Sequence, residues 1–293
     1  MTISDFRFWE SEVIDVVDNL LDKVKKVSFS DYVLLLSRAG YQMENENTFL
    51  SPFVIQSNLE LIQDESRRRF LRTYLNQYTY CLKENIFYEE EMTEYNINMQ
   101  LMLYSHVWES RCLLMTLKRI VGILSGKGYI WKIPFERPQR KDNKKMIPIN
   151  KGKFIREEII EPLIRIDNKL YTFLTSIYNS TIRNGYFHSM YQIDMNKGDI
   201  DVLNSDSYKI ETSISFFDWE AIFCKSVLFS YHLINKITER LNHFTIDYPN
   251  LTEVLIVWPS FKEPGINYTK SIYPIELECG DKTYVAFQFS PIK

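Results

Sequence analysis

The sequence predicts a mainly α protein, an antiparallel helical bundle with extra helices towards its N-terminal side and a small antiparallel β element near its C-terminal end. Three observations lead there. Glycine and proline number only nine and ten in 293 residues, while aromatic side chains reach 15%, a balance that suits packed helices. Apolar residues recur at steps of three and four over most of the first 245 residues. After Pro249 that period gives way to short β-branched and aromatic runs.

Residues 6 to 37 and 50 to 84 carry helical spacing broken by Gly40 and the polar run Glu44 to Thr48, which predicts two or three N-terminal helices. Leu103, Val107, Ser110, Leu114, Leu117, Val121 and Leu124 then mark one face of a single long helix, stopped at Gly126 and Gly128. From Trp131 to Lys153 the period disappears and Pro134, Pro138 and Pro148 appear. Residues 136 to 153 hold seven Lys or Arg against two acids, so a long basic loop is expected. Its role is open between a solvated excursion and a surface for substrate.

Helical spacing resumes at Phe154, with a break expected near Pro162, and runs to Tyr191. A polar segment containing Gly198 separates it from a helix whose face is Phe223, Val227, Ser230, Ile234, Ile237, Leu241 and Phe244. Ser215 before Phe216, with Asp218 in the first turn, signals its start. Strands are expected at Glu253 to Trp258, Ile272 to Glu278 and Thr283 to Phe289, the last two joined by Cys279-Gly280-Asp281-Lys282. The expected division is an N-terminal helical extension over 1–85, the bundle over 86–248 and the β appendage over 249–293.

Composition excludes several function classes. The net charge of -3 announces no nucleic-acid binder, so local patches must carry any such role. Two are visible: the basic loop, and Arg67, Arg68, Arg69 and Arg72, for which a solvated helix face is the simpler account. Cys81, Cys112, Cys224 and Cys279 form no CxxC pair, which fits reduced thiols and a cytoplasmic location. The acidic, aromatic N-terminus does not read as a secretory signal. Leu113 to Leu124, interrupted by Lys118 and Arg119, falls short of the roughly 20 apolar residues of a membrane span. The glycosylation triplets at Asn179, Asn250 and Asn267 are accordingly taken as chance matches.

No cofactor is expected. His106, His188, His232 and His243 lack the spacing of a metal-ligand set, and no HExxH is present. Glu89-Glu90-Glu91 reads as solvated or helix-start charge. Gly126-Lys127-Gly128 lacks the rest of a phosphate-binding loop, and no serine sits in a nucleophile elbow.

One segment stands out. Leu163, Leu170, Leu174, Ile177, Thr181, Asn184, His188 and Tyr191 keep the helical step, so an inward stripe is expected to turn polar without leaving its face. Asn184 and His188 are four apart, and Arg183 stands about 100° round from Asn184. Buried polar groups need partners, at roughly 1 to 3 kcal/mol each. A structural account is that His188 bonds a neighbouring helix, Asn184 bridges and Arg183 pairs with an acid. A chemical account is that the three converge on one groove.

Ile182-Arg183-Asn184-Gly185-Tyr186-Phe187-His188-Ser189 resembles the R-x4-6-H signature of the HEPN superfamily, including the polar residue after the arginine. The stretches Ser105 to Ser110, Phe154 to Leu163 and Ile214 to Glu220 are similar too, so the resemblance spans about residues 88 to 245. It implies a four- or five-helix bundle that often dimerises around a shared cleft. Many members are metal-independent endoribonucleases, often toxins or defence effectors facing a partner or antitoxin; others bind RNA, nucleotide or protein without catalysis.

Side-chain chemistry suits the first role. Histidine can move a proton at neutral pH, so His188 is the candidate acid or base at the ribose 2'-hydroxyl or the departing oxygen. Arg183 offers a forked cation for phosphate oxygens, and Asn184 a carboxamide to orient phosphate or imidazole. Tyr186, Phe187 and Tyr191 are the nearest aromatics for base stacking, with core packing the plainer account; of them Tyr186 and Tyr191 are carried forward as RNA-binding candidates. Arg137, Arg140, Lys141, Lys144 and Lys145 of the basic loop would contact the RNA backbone if it folds over the cleft.

Overall fold

A computed structural model describes residues 2–41, 53–55, 59–84, 90–139, 142–204, 206–260, 263, 265–279 and 282–289, without the side chains of 59–61, 63, 90–92, 136–139, 142–147, 279 and 282. The protein is mainly helical with small antiparallel sheets. Its residues group into two compact units. One comprises Met1–Val17, Asp64–Leu114 and Lys151–Leu233, the other Asp18–Gln63, Met115–Asn150 and Ile234–Lys293. This is a different partition from the linear one expected at 85 and 248, because segments remote in sequence pack together.

In the first unit, the early part of α1 (Ile3–Val27) and most of α3 (Leu59–Lys83) join α4 (Glu90–Glu109), α8 (Asn168–Ile177), α9 (Ser180–Phe187) and much of α10 (Phe216–Asn242). Trp9, Leu75, Tyr104, Trp108, Phe173, Leu174, Trp219 and Phe223 are buried. Side chains of this size contribute roughly 1.5 to 3 kcal/mol each by leaving water. Trp219 also donates to Gln100 Oε1 at 2.8 Å, fixing α10 against α4. As expected, α10 begins after Ser215, whose hydroxyl caps the Asp218 N–H at 3.1 Å.

The long helix expected through Leu103 and Leu124 is two helices, α4 and α5 (Arg111–Leu124), interrupted at Ser110. Asp64 of α3 causes the break. Its carboxylate, 3% exposed, accepts from Ser110 Oγ at 2.7 Å and from the Cys112 N–H at 2.8 Å, taking the place of the next helical turn.

The helix expected up to Tyr191 is likewise divided. After α6 (Lys151–Phe154), a π-helical turn over Ile155–Ile160 leads into α7 (Glu161–Ile166), with Pro162 in its first turn. The Glu161 N–H bonds back to Arg156, five residues earlier. Asp167 then caps α8 through the Leu170 N–H at 3.2 Å, and Asn179 caps α9 through Thr181 and Ile182. The buried stripe runs through α8 as Leu170, Leu174 and Ile177, whereas α9 buries Ile182, Arg183 and Gly185. The segment around Gly198 is an antiparallel meander of β5 (Tyr191–Asp194), β6 (Asp199–Leu203) and β7 (Ile210–Ser215), rather than a plain linker.

In the second unit, α2 (Phe29–Leu36), α11 (Phe244–Asp247) and parts of α1, α5 and α10 accompany β8 (Val254–Pro259), β9 (Asn267–Cys279) and β10 (Lys282–Phe289). These three strands form the expected antiparallel sheet, in the order β10-β9-β8. Val254, Ile256 and Trp258 are buried and alternate with exposed Leu255 and Val257. A two-residue ladder joins β1 (Gly40–Tyr41) to β2 (Phe53–Val54). The expected basic loop is a two-stranded hairpin of β3 (Glu136–Gln139) and β4 (Asp142–Pro148), its proline-bearing strands pairing only with each other.

Candidate functional site

Helix α9 carries the Arg183, Asn184 and His188 trio. Its start is fixed by Tyr104, whose hydroxyl donates to the Ile177 carbonyl at 3.1 Å and accepts from the Asn179 N–H at 2.7 Å. Burial pushes this phenol well above the ordinary tyrosine range. Ser226 of α10 also donates to Ile177 O, at 2.9 Å. At its other end α9 stops at His188, whose N–H bonds to Asn184 O at 3.0 Å. Ser189 then turns with φ 54°, and the chain enters β5.

The side chains diverge from the expected arrangement. Asn184 and His188 are exposed instead of continuing the inward stripe, and α9, which starts afresh at the Asn179 cap, buries Ile182, Arg183 and Gly185. Arg183 is the buried member, at 8% exposure, and is ion-paired with Glu109 of α4. One guanidinium nitrogen lies 3.4 Å from Asn184 Oδ1, and Arg183 Cζ sits 5.3 Å from the centre of the Phe187 ring. Among the described residues Arg183 Nε has no hydrogen-bond partner. Burial lowers the guanidinium's affinity for its proton from the ordinary arginine value, while Tyr104 acts the other way. Arginine stays cationic at neutral pH, and Glu109 supplies the counter-charge.

Glu109 is the residue that sequence reasoning missed. It is shared: Lys151 Nζ reaches its second carboxylate oxygen at 2.6 Å and its backbone carbonyl at 2.9 Å. Next to it, the Asp64 carboxylate that caps α5 also receives Arg67 at 2.6 Å. Burial lowers the Lys151 proton affinity, and neighbouring Arg67 and Arg111 lower it further while Asp64 raises it. Glu109 lies within the Ser105 to Ser110 stretch, and an acid is expected opposite Arg183 on a structural account, but nothing in the spacing joins the two positions.

Of the aromatic candidates, Tyr186 and Tyr191 pack against each other with ring centres 5.8 Å apart, and the Tyr191 hydroxyl donates to Asn98 at 2.6 Å. Phe187 is the exposed one, at 48%. Arg137 lies in β3, and Lys144 and Lys145 in β4, with side chains beyond the description; Arg140 and Lys141 lie outside the described residues. That hairpin falls in the second compact unit and Arg183, Asn184 and His188 in the first. Of the arginine cluster, Arg68 and Arg69 pair with Glu65 on the exposed face of α3. Arg72 lines a cavity of about 340 Å³ with Phe6, Glu10, Leu75, Lys83 and Tyr231, remote in its lining from the α9 trio.

Among the described residues no group of three His, Cys, Asp or Glu side chains could hold a metal ion, and no helix is long and apolar enough to cross a membrane. No family model, curated protein or solved structure matches this chain.

Proposed function

We propose that the protein is a metal-independent endoribonuclease built on a HEPN-like bundle, with His188 and Asn184 as the groups that meet RNA. The observation that carries this reading is the exposure of both side chains at one end of α9, beside a cationic guanidinium and an exposed aromatic ring. His188 takes the 2'-hydroxyl proton as that oxygen attacks phosphorus; the 5'-oxygen leaves and is protonated by solvent. The products are a 2',3'-cyclic phosphate and a free 5'-hydroxyl. Asn184 donates from its amide to a phosphate oxygen. Arg183 places positive charge behind Asn184 and Phe187, where it favours the growing negative charge of the transition state. On this reading two copies pair around a shared cleft, and the protein serves as a toxin or defence effector restrained by a partner.

The Arg183–Glu109 pair favours a second reading, a non-catalytic HEPN-like module that binds RNA, nucleotide or a protein, since a buried and neutralised arginine is also what a structural role requires. Incubation with labelled RNA in chelator separates the two. The wild type should leave cyclic-phosphate ends and His188→Ala should lose activity about 100-fold or more. Equal cleavage by both proteins removes the catalytic assignment. RNA retention without cleavage on varied sequences selects the second reading.

A further inference from the structure

We propose that Arg67, Arg111 and Lys151, with Arg183 behind them, form the track that holds the phosphodiester backbone of single-stranded RNA, and that the Glu109 carboxylate occupies its innermost phosphate seat until RNA displaces it. The proposal deepens the ribonuclease reading and rests on it for the identity of the polyanion.

The cluster is one continuous chain of contacts within the first unit. Arg67 meets Asp64, Asp64 meets Ser110, and the neighbouring Glu109 takes Lys151 on one oxygen and Arg183 on the other. Three cations therefore pair with two carboxylates, and exposed Arg111 is close enough to bear on the charge of Lys151. Asp64 is committed to capping α5, so its charge cannot leave. Glu109 caps no helix, and its charge serves to balance Arg183 and Lys151, a task that a phosphate can take over. A carboxylate gripped between an arginine and a lysine is held by the same donors that a phosphate recruits, and the phosphate offers more oxygens to them. The unpartnered Arg183 Nε is a donor that Glu109 leaves unused.

The cluster is open to solvent, for the Lys151 and Arg67 side chains are 30% and 31% exposed and Arg111 is exposed. The single-stranded form is indicated by Phe187. Its exposed ring lies against Arg183, so a base face and a backbone cation meet at one residue, and only an unpaired base can use such a ring.

The test measures binding of a 2'-O-methyl single-stranded RNA, which cannot be cleaved through its 2'-oxygen, to the full chain between 50 and 200 mM salt, by fluorescence anisotropy. For single strands each phosphate contact contributes about 0.7 to the slope of log K against log salt, or roughly two- to threefold in affinity over that range. Lys151→Gln and Arg111→Gln should each lower the slope by about that amount. Glu109→Gln should tighten binding and steepen the slope, whereas a merely structural Glu109 would weaken binding when altered. Melting curves confirm folding; where Glu109→Gln does not fold, the two cation variants decide alone. Unchanged slopes in folded variants, weaker binding by Glu109→Gln, or no binding by the wild type each overturn the track. Parallel cleavage of unmodified RNA separates the two ideas. The expected slopes without cleavage retain the track and remove the nuclease, and cleavage with unchanged slopes does the reverse.

Discussion

Arg183 and Glu109 neutralise each other across the packing of α9 against α4, in a position where neither side chain is well hydrated. Coulomb attraction there offsets the loss of water around both ions, so removing one partner costs more than the pair contributes when intact. Glu109→Ala should therefore destabilise the protein by about 1 to 3 kcal/mol, and Arg183→Ala by a similar amount. The double variant should be less destabilised than the sum of the singles, since it does not leave the buried guanidinium without its carboxylate, although Lys151 still loses its partner. Urea denaturation of the four proteins measures this; strict additivity would mean that the two groups do not depend on each other.

The hydroxyl of Tyr104 joins the end of α8 to the start of α9 by accepting from Asn179 and donating to Ile177. Phenylalanine at this position fills the same space but leaves the half-buried Asn179 N–H without its acceptor and the Ile177 carbonyl without this donor. Tyr104→Phe should lower stability by about 1 to 3 kcal/mol and speed hydrogen exchange at the Asn179 amide. Because Asn179 caps the helix bearing His188, RNA cleavage should fall as well. Protection of that amide equal to wild type would show that the bond is dispensable.

The trio's sequence neighbourhood was legible and its surroundings were not. Arg183, Asn184 and His188 lie on one short helix as the spacing implies, yet the stripe through Leu163 and Tyr191 is broken at Asp167 and Asn179. Both are good capping residues, and beyond Asn179 the buried face is Ile182, Arg183 and Gly185 in place of Thr181, Asn184 and His188. Glu109 and Asp64 carry no local signature of their partners, since a pairing between distant segments is set by packing rather than by spacing. The basic segment from Arg137 reads as a loop because its charges and prolines hide the alternation of a two-stranded ribbon. The C-terminal strands and the start of α10 were visible because turn and cap residues punctuate them.

His106 supplies a pH dependence of known sign. Burial first, and Arg67 second, hold its imidazole below the ordinary histidine value in the folded protein. In the unfolded chain it takes a proton near pH 6.5. As pH falls through that value the unfolded state binds more protons than the folded one, so stability should decline, and the decline stops once pH passes the folded pKa. His106→Gln should show a shallower loss between pH 7.5 and 5 in denaturation midpoints. Arg67→Gln should raise the His106 titration midpoint seen by NMR; a midpoint unmoved or lowered would contradict the electrostatic part.

Gly185, inside the trio's own segment, makes the tightest packing demand in it. A Cβ there would lie 2.6 Å from Val202 Cγ1 and 3.2 Å from the Met190 carbonyl oxygen. Neither neighbour can move away easily. Val202 is β-branched and buried in β6, so its rotamer is held. Met190 is fixed at both ends, its N–H bonding to Gly185 O at 2.8 Å and its carbonyl accepting from Leu203 at 2.9 Å. Gly185→Ala should then force α9 off the meander and cost about 1 to 3 kcal/mol, despite alanine's better helix propensity. Shortening the obstacle tests the cause: Gly185→Ala with Val202→Ala should be less destabilised than the two single changes summed, by about 1 kcal/mol. Since His188 closes the same short helix, the single Gly185→Ala variant should also lose RNA cleavage, and the double variant should regain part of it. A double variant no better than the sum in stability would place the cost elsewhere than in contact with Val202.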